Sequence, residues 1–317
     1  MHVVVTGAAG FVGRALTQRL ISDRALCGQR IDQITLMDLA FEDAAPGGVR
    51  QLPGDIGDTA WLASALGAQT VDAVFHLASI PGGAAEQNYG QAKRVNLDAT
   101  QTLLELGQRQ VQQAGKRPVF VFASSIAVFG AMPETVTDDT LPHPQMTYGA
   151  QKLVGEVLVN DFSRRGWVDG LSLRLPGVLA RPPAPTGQLS AFLSDIIREL
   201  AAHRPFVCPM APEVTTWASS LPNVIDNLVH AASKSGTALE GQRTFTLPTL
   251  RYSMSELVDA MAEVHGERVR ALVRFEPQER MEALFGRFPV LETPAAIKAG
   301  FVADENLTTL VRRALIA

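Results

Sequence analysis

The sequence predicts an α/β fold: a Rossmann-type doubly wound parallel sheet with a smaller C-terminal substrate lobe. Apolar, β-branched runs such as HVVVT at residues 2–6 and PVFVF at residues 118–122 alternate with helical patterns, which is typical of parallel strands buried on both faces. A glycine-rich turn at residues 7–13, GAAGFVG, joins the first strand to the first helix, as dinucleotide-binding folds require. A proline-rich stretch at residues 181–187 marks a boundary before the later helices.

Composition places the chain among ordinary globular enzymes. Its 317 residues are 46% hydrophobic and 19% charged, with a net charge of −4. This charge predicts no binding to nucleic acid or to an anionic membrane surface. Cys27 and Cys208 are far apart, which argues against a disulfide framework or a metal site and favours a reducing cytoplasm. The N-terminus lacks a signal-peptide pattern, and no apolar run is long enough to cross a bilayer.

The glycine-rich turn predicts a phosphate-binding site. Gly7 allows a tight turn, Gly10 lets the backbone approach a pyrophosphate, and Gly13 permits close packing of the helix on the strand. The helix N-terminus presents unpaired N–H groups and a positive dipole to the phosphates. We therefore expect cofactor contacts from Gly7, Ala9, Gly10, Phe11 and Val12.

Asp38 indicates which dinucleotide is bound. It ends the predicted strand at residues 31–37, about 25 residues after Gly13. A carboxylate there can bind the adenosine ribose hydroxyls, and it repels a 2′-phosphate. The following residues, LAFE, provide no arginine to neutralise such a phosphate. The predicted cofactor is therefore NAD and not NADP.

Asp55 follows the next extended run, at residues 49–52, and allows two interpretations. Together with the apolar Ile56 it could hold the adenine edge. Alternatively, it could cap the helix that begins near Thr59. One carboxylate could serve both purposes, so the sequence leaves both interpretations open.

Small residues follow the predicted strand at residues 71–77. Ala78 and Ser79, together with Leu77 at the end of the strand, are expected to let the backbone lie against the cofactor. Ser79 also begins a small-residue loop, residues 79–83, which suits either a substrate contact or a plain connection. His76 is predicted to be a buried strand histidine, because no metal-type partners stand near it in the sequence.

Asn96 lies inside a predicted helix over residues 87–112. Asparagine is unfavourable in a helix interior, so its presence suggests a polar role such as holding a water molecule or the region of the lysine described next. A solvated or back-bonded asparagine is the alternative interpretation.

Tyr148 and Lys152 are the predicted chemical pair. They stand four residues apart, on one face of a helix. A tyrosine has a pKa of roughly 10, and acting as a base at neutral pH requires a fall of about three units, or about 4 kcal/mol. An ammonium about 5 Å away at an effective dielectric constant of about 20 supplies roughly 3 kcal/mol. A cationic nicotinamide ring could supply the rest.

A second pair, Tyr89 and Lys93, has the same spacing, so context must separate the two. Tyr148 follows the buried strand at residues 118–122, whose carboxyl end carries two hydroxyls, Ser124 and Ser125. An open α/β sheet places its ligands at such an end. No comparable strand precedes Tyr89, so Tyr89 and Lys93 are predicted to lie on an ordinary helix surface.

The chain is expected to divide at about residue 175. Residues 1–175 form the NAD-binding domain, later segments near residues 221–250 return to it, and residues 176–317 mainly form the substrate lobe. Amphipathic helices are predicted near residues 189–202, 221–233 and 254–265, and a strand at residues 245–247. Ser253 and Glu256 form a capping-box pattern before the last helix.

Taken together, these motifs resemble the extended short-chain dehydrogenases/reductases, which include nucleotide-sugar epimerases and dehydratases. TGAAGFVG, Asp38, HLAS, VNLD, SSIAVFG and YGAQK occur in the family's order across the first 180 residues. The resemblance implies that Ser125 is the catalytic hydroxyl, Tyr148 the general acid/base, and Lys152 the residue that binds the nicotinamide ribose and lowers the tyrosine pKa. It implies further cofactor contacts from Asn96, Pro176 and Val178, and a homodimer formed through the helices near residues 90–112 and 148–165.

Within this family, the later runs look most like a branch that oxidises the C2 hydroxyl of a four-carbon sugar acid with NAD, giving the 2-keto acid. Nucleotide-sugar enzymes usually carry an acidic pair where this chain reads WASSLPN at residues 217–223. The expected substrate contacts are Ser79, Ser125, Ile126, Tyr148, Arg181 and Trp217. Arg181 is expected to bind the carboxylate, because a guanidinium group can donate two parallel hydrogen bonds to it. The alternative is that Arg181 is a surface arginine at a domain boundary.

Two rival functions remain. A nucleotide-sugar 4-epimerase would retain NAD tightly and cause no net oxidation. A dinucleotide-sensing binding protein would have no need of Ser125, Tyr148 and Lys152, whose presence argues against it.

Overall fold

The computed structural model describes residues 1–183, 189–234 and 241–315, so residues 184–187 of the predicted proline-rich boundary lie outside it. The chain forms two compact units. The first contains Met1–Gly130, Leu141–Leu175 and Ile225–Thr246, and the second contains Ala131–Thr140, Pro176–Val224 and Leu247–Ala317. One of the divisions falls after Leu175, and Ala131–Thr140 belongs to the second unit although it lies early in the chain.

Strands and helices alternate along the first half of the chain. The strands are β1 (His2–Thr6), β2 (Ala25–Leu26), β3 (Gln29–Arg30), β4 (Gln33–Asp38), β5 (Val49–Pro53), β6 (Ala73–His76), β7 (Val119–Ser125), β8 (Thr135–Val136), β9 (Asp169–Leu175), β10 (Gly177–Leu179), β11 (Phe206–Cys208), β12 (Thr215–Ser220), β13 (Thr244–Thr246), β14 (Leu250–Ser253), β15 (Val273–Phe275) and β16 (Val290–Leu291). The α-helices are α1 (Phe11–Asp23), α2 (Thr59–Leu66), α3 (Gly82–Gln87), α4 (Tyr89–Lys93), α5 (Ala99–Ala114), α6 (Thr147–Arg164), α7 (Phe192–Ala201), α8 (Leu221–Ser233), α9 (Met254–His265), α10 (Glu279–Phe285), α11 (Pro294–Lys298) and α12 (Leu307–Ala314).

A seven-stranded sheet forms the centre of the first unit, in the order β13-β9-β7-β6-β1-β4-β5. Every neighbouring pair is parallel, which confirms the predicted fold class. The strand order reverses between β1 and β6, and ligands of such sheets bind at the carboxyl ends of the strands at this point. The predicted strand at residues 245–247 is β13, at one edge of the sheet.

Large apolar side chains fix the sheet between its helices. Phe120 and Phe122 of β7 are at most 1% exposed, and Leu103 and Leu104 of α5 pack into the same core. Burying one such side chain stabilises the fold by about 1.5–3 kcal/mol. The packed core therefore holds the carboxyl ends of the strands in place.

The predicted helix over residues 87–112 is not one α-helix. It consists of α4, a π-helical turn at Arg94–Asp98, and α5. The expected loop at residues 79–83 is also partly helical, because α3 begins at Gly82. Short π-helical turns interrupt α-helices most often at functional sites, and this one contains Asn96.

The second unit has its own core. β12 pairs with β10 in parallel and with β14 in antiparallel orientation, and α7, α9 and α12 contribute buried residues such as Ile196, Met261 and Leu310. The predicted capping box at Ser253 and Glu256 is present at the start of α9. None of the helices in the described part of the chain is long and apolar enough to span a membrane.

A buried ion pair ties α6 to the sheet of the first unit. Arg174 in β9 donates two hydrogen bonds to Glu156, through Nε to Oε1 at 2.9 Å and through Nη2 to Oε2 at 2.8 Å. The Ser124 hydroxyl in β7 also donates to Glu156 Oε1, at 2.5 Å. Glu156 is 4% exposed, so this carboxylate joins three elements of the unit in a nearly dry environment.

We expect Glu156→Ala to lower the free energy of unfolding by about 3–5 kcal/mol, because it leaves a buried guanidinium without its partner. Asp161→Ala is the matched control on the same helix: Asp161 pairs with Arg164 and Arg165 at the surface and should have a much smaller effect. Urea unfolding followed by circular dichroism measures both. Equal losses in the two variants would contradict the inferred importance of the buried pair.

Candidate active site

The glycine-rich turn leaves no space for side chains at two positions. Gly7 has φ +70°, and a Cβ placed on it would lie 2.7 Å from the backbone nitrogen of Ala78. A Cβ on Gly13 would lie 2.0 Å from the carbonyl oxygen of Gly7. Gly10, the N-cap residue of the helix that begins at Phe11, makes no side-chain cap. Such a compact turn against an uncapped helix end fits a dinucleotide pyrophosphate.

Asp38 lies beside this turn. Its Oδ2 accepts a hydrogen bond from the backbone N–H of Ala9 at 2.8 Å, and its Oδ1 accepts one from Leu39 at 2.8 Å. The carboxylate is therefore fixed at the carboxyl end of β4, as expected for a group that binds ribose hydroxyls.

An arginine that the sequence argument overlooked also lies near Asp38. Arg14, in α1, donates through Nε to the carbonyl oxygen of Ala9 at 2.8 Å and through Nη2 to Glu42 at 2.9 Å. The residues that follow Asp38 in the sequence include no cation that could neutralise a 2′-phosphate. The fold brings Arg14 to this region, where it is paired with the carboxylate of Glu42.

Asp55 does not cap the helix that begins at Thr59. Asp58 caps α2 by accepting from the N–H groups of Ala60 and Trp61. Asp55 instead accepts from Gly57 at 2.8 Å in a tight turn. The structure thus removes helix capping from the two interpretations of Asp55, and its contact with adenine, like that of the buried Ile56, stays a prediction.

The segment after β6 is held by hydrogen bonds. Leu77, Ala78 and Ser79 are half-buried at the carboxyl end of the strand, and Ala78 lies against Gly7. Asn96 accepts from the N–H of Ile80 at 2.8 Å and donates to its carbonyl at 3.0 Å. The side-chain amide of Asn96 is thus engaged by protein groups, and its contact with the cofactor stays a prediction.

His76 is buried in β6, as predicted. Its Nδ1 lies 2.7 Å from Thr6 Oγ1, and its Nε2 lies 2.8 Å from Thr100 Oγ1. Burial, with a smaller effect from the charge of Lys152, lowers the pKa of His76 to about 3. The ring is therefore neutral, and both of its nitrogens bond to threonines.

Ser125 and Tyr148 lie on segments that touch. Ser125 Oγ accepts from the N–H of Ala127 at 3.1 Å in the short turn after β7. Gly149 follows Tyr148 in α6, and a Cβ on it would lie 2.2 Å from the carbonyl oxygen of Ala127. The missing side chain of Gly149 therefore lets the first turn of α6 approach the turn that begins at Ser125 and Ile126.

Lys152 is buried in the same helix, at 2% exposure. Its Nζ lies 5.6 Å from the ring centroid of Tyr148 and 4.7 Å from that of Phe122. Desolvation lowers the pKa of Lys152 to about 7, although the negative charge of Glu156 acts in the opposite direction. The ammonium thus lies close to the phenol, with its charge held in a medium that screens it weakly.

The remaining predicted residues lie in the second unit. Pro176 precedes β10 and Val178 lies in it, while Arg181 is half-buried and donates its backbone N–H to Ser194 Oγ at 3.0 Å. The prediction of Trp217 as a pocket wall is wrong. Its side chain is fully buried, and its indole N–H donates to the carbonyl oxygen of Pro289 at 2.8 Å.

Four residues near the site were not identified from the sequence. Gly149 could have been found as a glycine inside a helical pattern, and Glu156 as a carboxylate one helical turn after Lys152. Gln151 and Glu86 gave no local signal, because their partners, Asn96 and Thr147, are distant in sequence. Tyr89 is 60% exposed and Lys93 pairs with Asp98, as expected of a helix surface.

Known proteins are similar to this chain along most of its length. The family model described as the NAD dependent epimerase/dehydratase family matches residues 3–222. A D-erythronate dehydrogenase from Cupriavidus necator is 38% identical over 322 aligned residues, covering 98% of this chain and 97% of the relative. A D-erythronate dehydrogenase from Haemophilus influenzae is 32% identical, covering 99% of this chain and 98% of the relative.

A solved structure is also similar along the whole chain. The crystal structure of a nucleoside-diphosphate-sugar epimerase from Agrobacterium tumefaciens has a TM-score of 0.90 and 34% identity, covering 98% of this chain and 92% of the other. These similarities confirm the predicted family resemblance, the fold class, and an NAD-dependent enzyme. This chain belongs to the NAD dependent epimerase/dehydratase family.

Proposed function

We propose that the protein oxidises the C2 hydroxyl of a small sugar acid, D-erythronate or a close analogue, to the 2-keto acid with NAD. The observation that carries this proposal is the buried Lys152 beside the ring of Tyr148, in a helix whose first turn lies against the turn that begins at Ser125. This arrangement can accept a proton from an alcohol. The choice of substrate is supported by the two D-erythronate dehydrogenases, which align along nearly the whole chain.

Because the glycine-rich turn fits the pyrophosphate of NAD, the residues that would hold the cofactor can be named. Gly7, Ala9 and Gly10 border the pyrophosphate, and Asp38 binds the adenosine ribose. Lys152 binds the nicotinamide ribose. Bound NAD supplies the acceptor for a hydride. The other proposed contacts are Phe11, Val12, Asp55, Ile56, Leu77, Ala78, Ser79, Asn96, Tyr148, Pro176 and Val178.

The chain's own residues carry out the proton transfer. Ser125 and Tyr148 hydrogen-bond the substrate hydroxyl, and the Tyr148 phenolate removes its proton. The O–H and C2–H bonds both break, the C=O bond forms, and two electrons leave C2 as a hydride. Lys152 stabilises the phenolate, because its positive charge lies close by in a poorly screened environment.

Arg181 is proposed to bind the substrate carboxylate, with Ser79 and Ile126 as further contacts. Arg181→Met should raise the KM for the sugar acid about tenfold or more, through the loss of a charge-assisted hydrogen bond, and leave the KM for NAD unchanged. Steady-state kinetics with each substrate varied in turn measures this, and an unchanged KM for the sugar acid would remove Arg181 from the site.

The proposal includes a homodimer and a cytoplasmic location. The homodimer is supported by two exposed apolar residues on one face of α6, Val154 at 45% and Val157 at 62% exposure. Light scattering of the purified chain tests it. The location is supported by Cys27 and Cys208, which are both unpaired, as is usual in a reducing compartment.

The decisive assay measures NADH absorbance with four-carbon sugar acids and, separately, with UDP-sugars. Stoichiometric NADH from D-erythronate supports the proposal. Conversion of a UDP-sugar without net NADH would instead support the 4-epimerase, a candidate that the similar epimerase structure keeps open. Tyr148→Phe should reduce the NADH rate more than about a hundredfold, whereas Tyr89→Phe, the matched control, should retain full activity.

Lys152→Met should abolish activity and yet stabilise the NAD-free protein by roughly 1–3 kcal/mol at pH 7, because it removes a buried ammonium. The folded pKa of Lys152, about 7, lies below the ordinary value of 10.5. The unfolded chain therefore binds more protons between these pH values, and wild-type stability falls as the pH drops from 10.5 towards 7. The advantage of the variant should be largest at or below pH 7 and disappear above about pH 10.5.

Chemical unfolding at several pH values measures this difference. Lys93→Met, at a half-exposed lysine paired with Asp98, is the control and should not be stabilising. A Lys152→Met protein less stable than wild type at pH 7 would show that the ammonium is not destabilising in the folded state.

A further inference from the structure

Both backbone polar groups of Ala9, in the glycine-rich turn, are bonded to charged side chains. The carboxylate of Asp38 accepts from the Ala9 N–H at 2.8 Å, and the guanidinium of Arg14 donates through Nε to the Ala9 carbonyl oxygen at 2.8 Å. Because the nitrogen and the carbonyl oxygen of one residue are at most about 3.6 Å apart, Asp38 Oδ2 and Arg14 Nε lie within about 9 Å of each other. The turn therefore holds an anion and a cation close together beside the end of β4.

A second carboxylate neutralises the charge of Arg14. Glu42 lies in the loop after β4, four residues beyond Asp38 in the sequence, and it accepts from Arg14 Nη2 at 2.9 Å. Both side chains of this pair are exposed, Arg14 at 54% and Glu42 at 75%. Ion pairs at such exposure are weak, because water and salt screen them. A more strongly charged anion can therefore displace Glu42 from the guanidinium.

The charges at this place bear on whether a 2′-phosphate is accepted. NADP differs from NAD by this phosphate, which stands on the adenosine ribose whose hydroxyls Asp38 is proposed to bind. The phosphate would bring about 1.5 to 2 negative charges next to the carboxylates of Asp38 and Glu42. A guanidinium can neutralise such a group, since it donates two parallel hydrogen bonds to phosphate oxygens. The guanidinium of Arg14 is bonded to the turn, but it is paired with Glu42.

We propose that Glu42 and Arg14 form a second determinant of cofactor choice, in addition to Asp38. Glu42 occupies Arg14 and so keeps its charge from a 2′-phosphate, which makes the site selective for NAD although a cation lies at the turn. Selectivity of this kind depends on a repulsive element as much as on attractive ones. Without the two carboxylates, Arg14 becomes part of a 2′-phosphate site and the chain binds NADP. This proposal deepens the proposed contact of Asp38 with the ribose and rests on it.

Fluorescence titration with NADH and NADPH, without substrate and at fixed ionic strength, tests the proposal. The comparison starts from Asp38→Asn, because the amide oxygen still accepts from the Ala9 N–H while the charge is removed. This variant should bind NADPH about tenfold more tightly than wild type, through the loss of charge repulsion. Adding Glu42→Gln should increase the affinity for NADPH about tenfold more, the effect of one charge-assisted hydrogen bond, and change the affinity for NADH less than about threefold.

Asp23→Asn, added to Asp38→Asn in place of Glu42→Gln, is the matched control. It removes the same charge from another exposed ion pair of α1, with Arg19 at 44% and Asp23 at 41% exposure. Because this pair lies outside the glycine-rich turn, the affinity for NADPH should change less than about twofold. A gain equal to that of Glu42→Gln would show that only the net charge of the chain matters, which contradicts the proposal.

The decisive comparison repeats Glu42→Gln in protein that carries both Asp38→Asn and Arg14→Met. Because the guanidinium is then absent, the gain in NADPH affinity should fall from about tenfold to less than about threefold, as a double-mutant cycle for this pair measures. Arg14→Lys, which keeps the charge but not the two parallel donors, should restore part of the gain. A gain that is the same with and without Arg14 would overturn the proposal, because it would come from the removal of a repulsive carboxylate alone.

These outcomes are distinguishable from a failure of the proposed oxidation. If wild type produces no NADH from any sugar acid, that function fails, while the affinities still decide the choice of cofactor. An unchanged ratio of NADPH to NADH affinity in Asp38→Asn would remove Asp38 from the ribose site, and the proposal would fall with it. A loss of NADH affinity greater than about tenfold on adding Glu42→Gln would make Glu42 itself a ribose contact, which is also incompatible with the proposal.

Discussion

The burial of one ammonium group is the constraint on which the site depends. Lys152 is almost completely removed from solvent, beside the rings of Tyr148 and Phe122. Desolvation penalises its charge, and Glu156, one turn along the helix, offsets only part of that cost. A chain selected for stability alone would place an apolar residue there. Strongly shifted groups of this kind are concentrated at functional sites, so the destabilising position of Lys152 itself supports a chemical role.

The geometry of the site is set by close backbone contacts as much as by the reactive side chains. Gly7 lies against Ala78, Gly149 against Ala127, and a Cβ on Gly155 would lie 2.5 Å from the ring of Phe122. Each contact brings a helix or a turn closer to its neighbour than any other residue would permit. The turn for the pyrophosphate, the Ser125 turn and the helix of Tyr148 are positioned by these approaches, and the charged pair of Glu156 and Arg174 holds the helix in place.

The outcomes for individual residues show where sequence reasoning was sufficient. The parallel sheet, the turn around Gly7 and the end of β4 at Asp38 could be predicted, because each rests on a local pattern of apolar residues or glycines. The choice of Tyr148 over Tyr89 as the base stays a prediction. Helix capping by Asp55, the pocket position of Trp217 and the single helix across Asn96 could not be settled in this way. Asp58 caps α2, the Trp217 indole donates to the carbonyl oxygen of Pro289, and a π-helical turn separates α4 from α5.

The sequence by itself determined the fold class and the glycine-rich turn, and it identified the hydroxyl, phenol and ammonium groups that we propose for the site. These follow from short-range periodicity and from motifs whose residues act within one or two turns of the chain. Only the tertiary structure decided the partners of the buried polar groups: Ile80 and Gln151 for Asn96, Thr6 and Thr100 for His76, Arg174 and Ser124 for Glu156. The physical reason is that a buried polar group must find a hydrogen-bond partner, and the folded chain supplies partners that are far away in sequence.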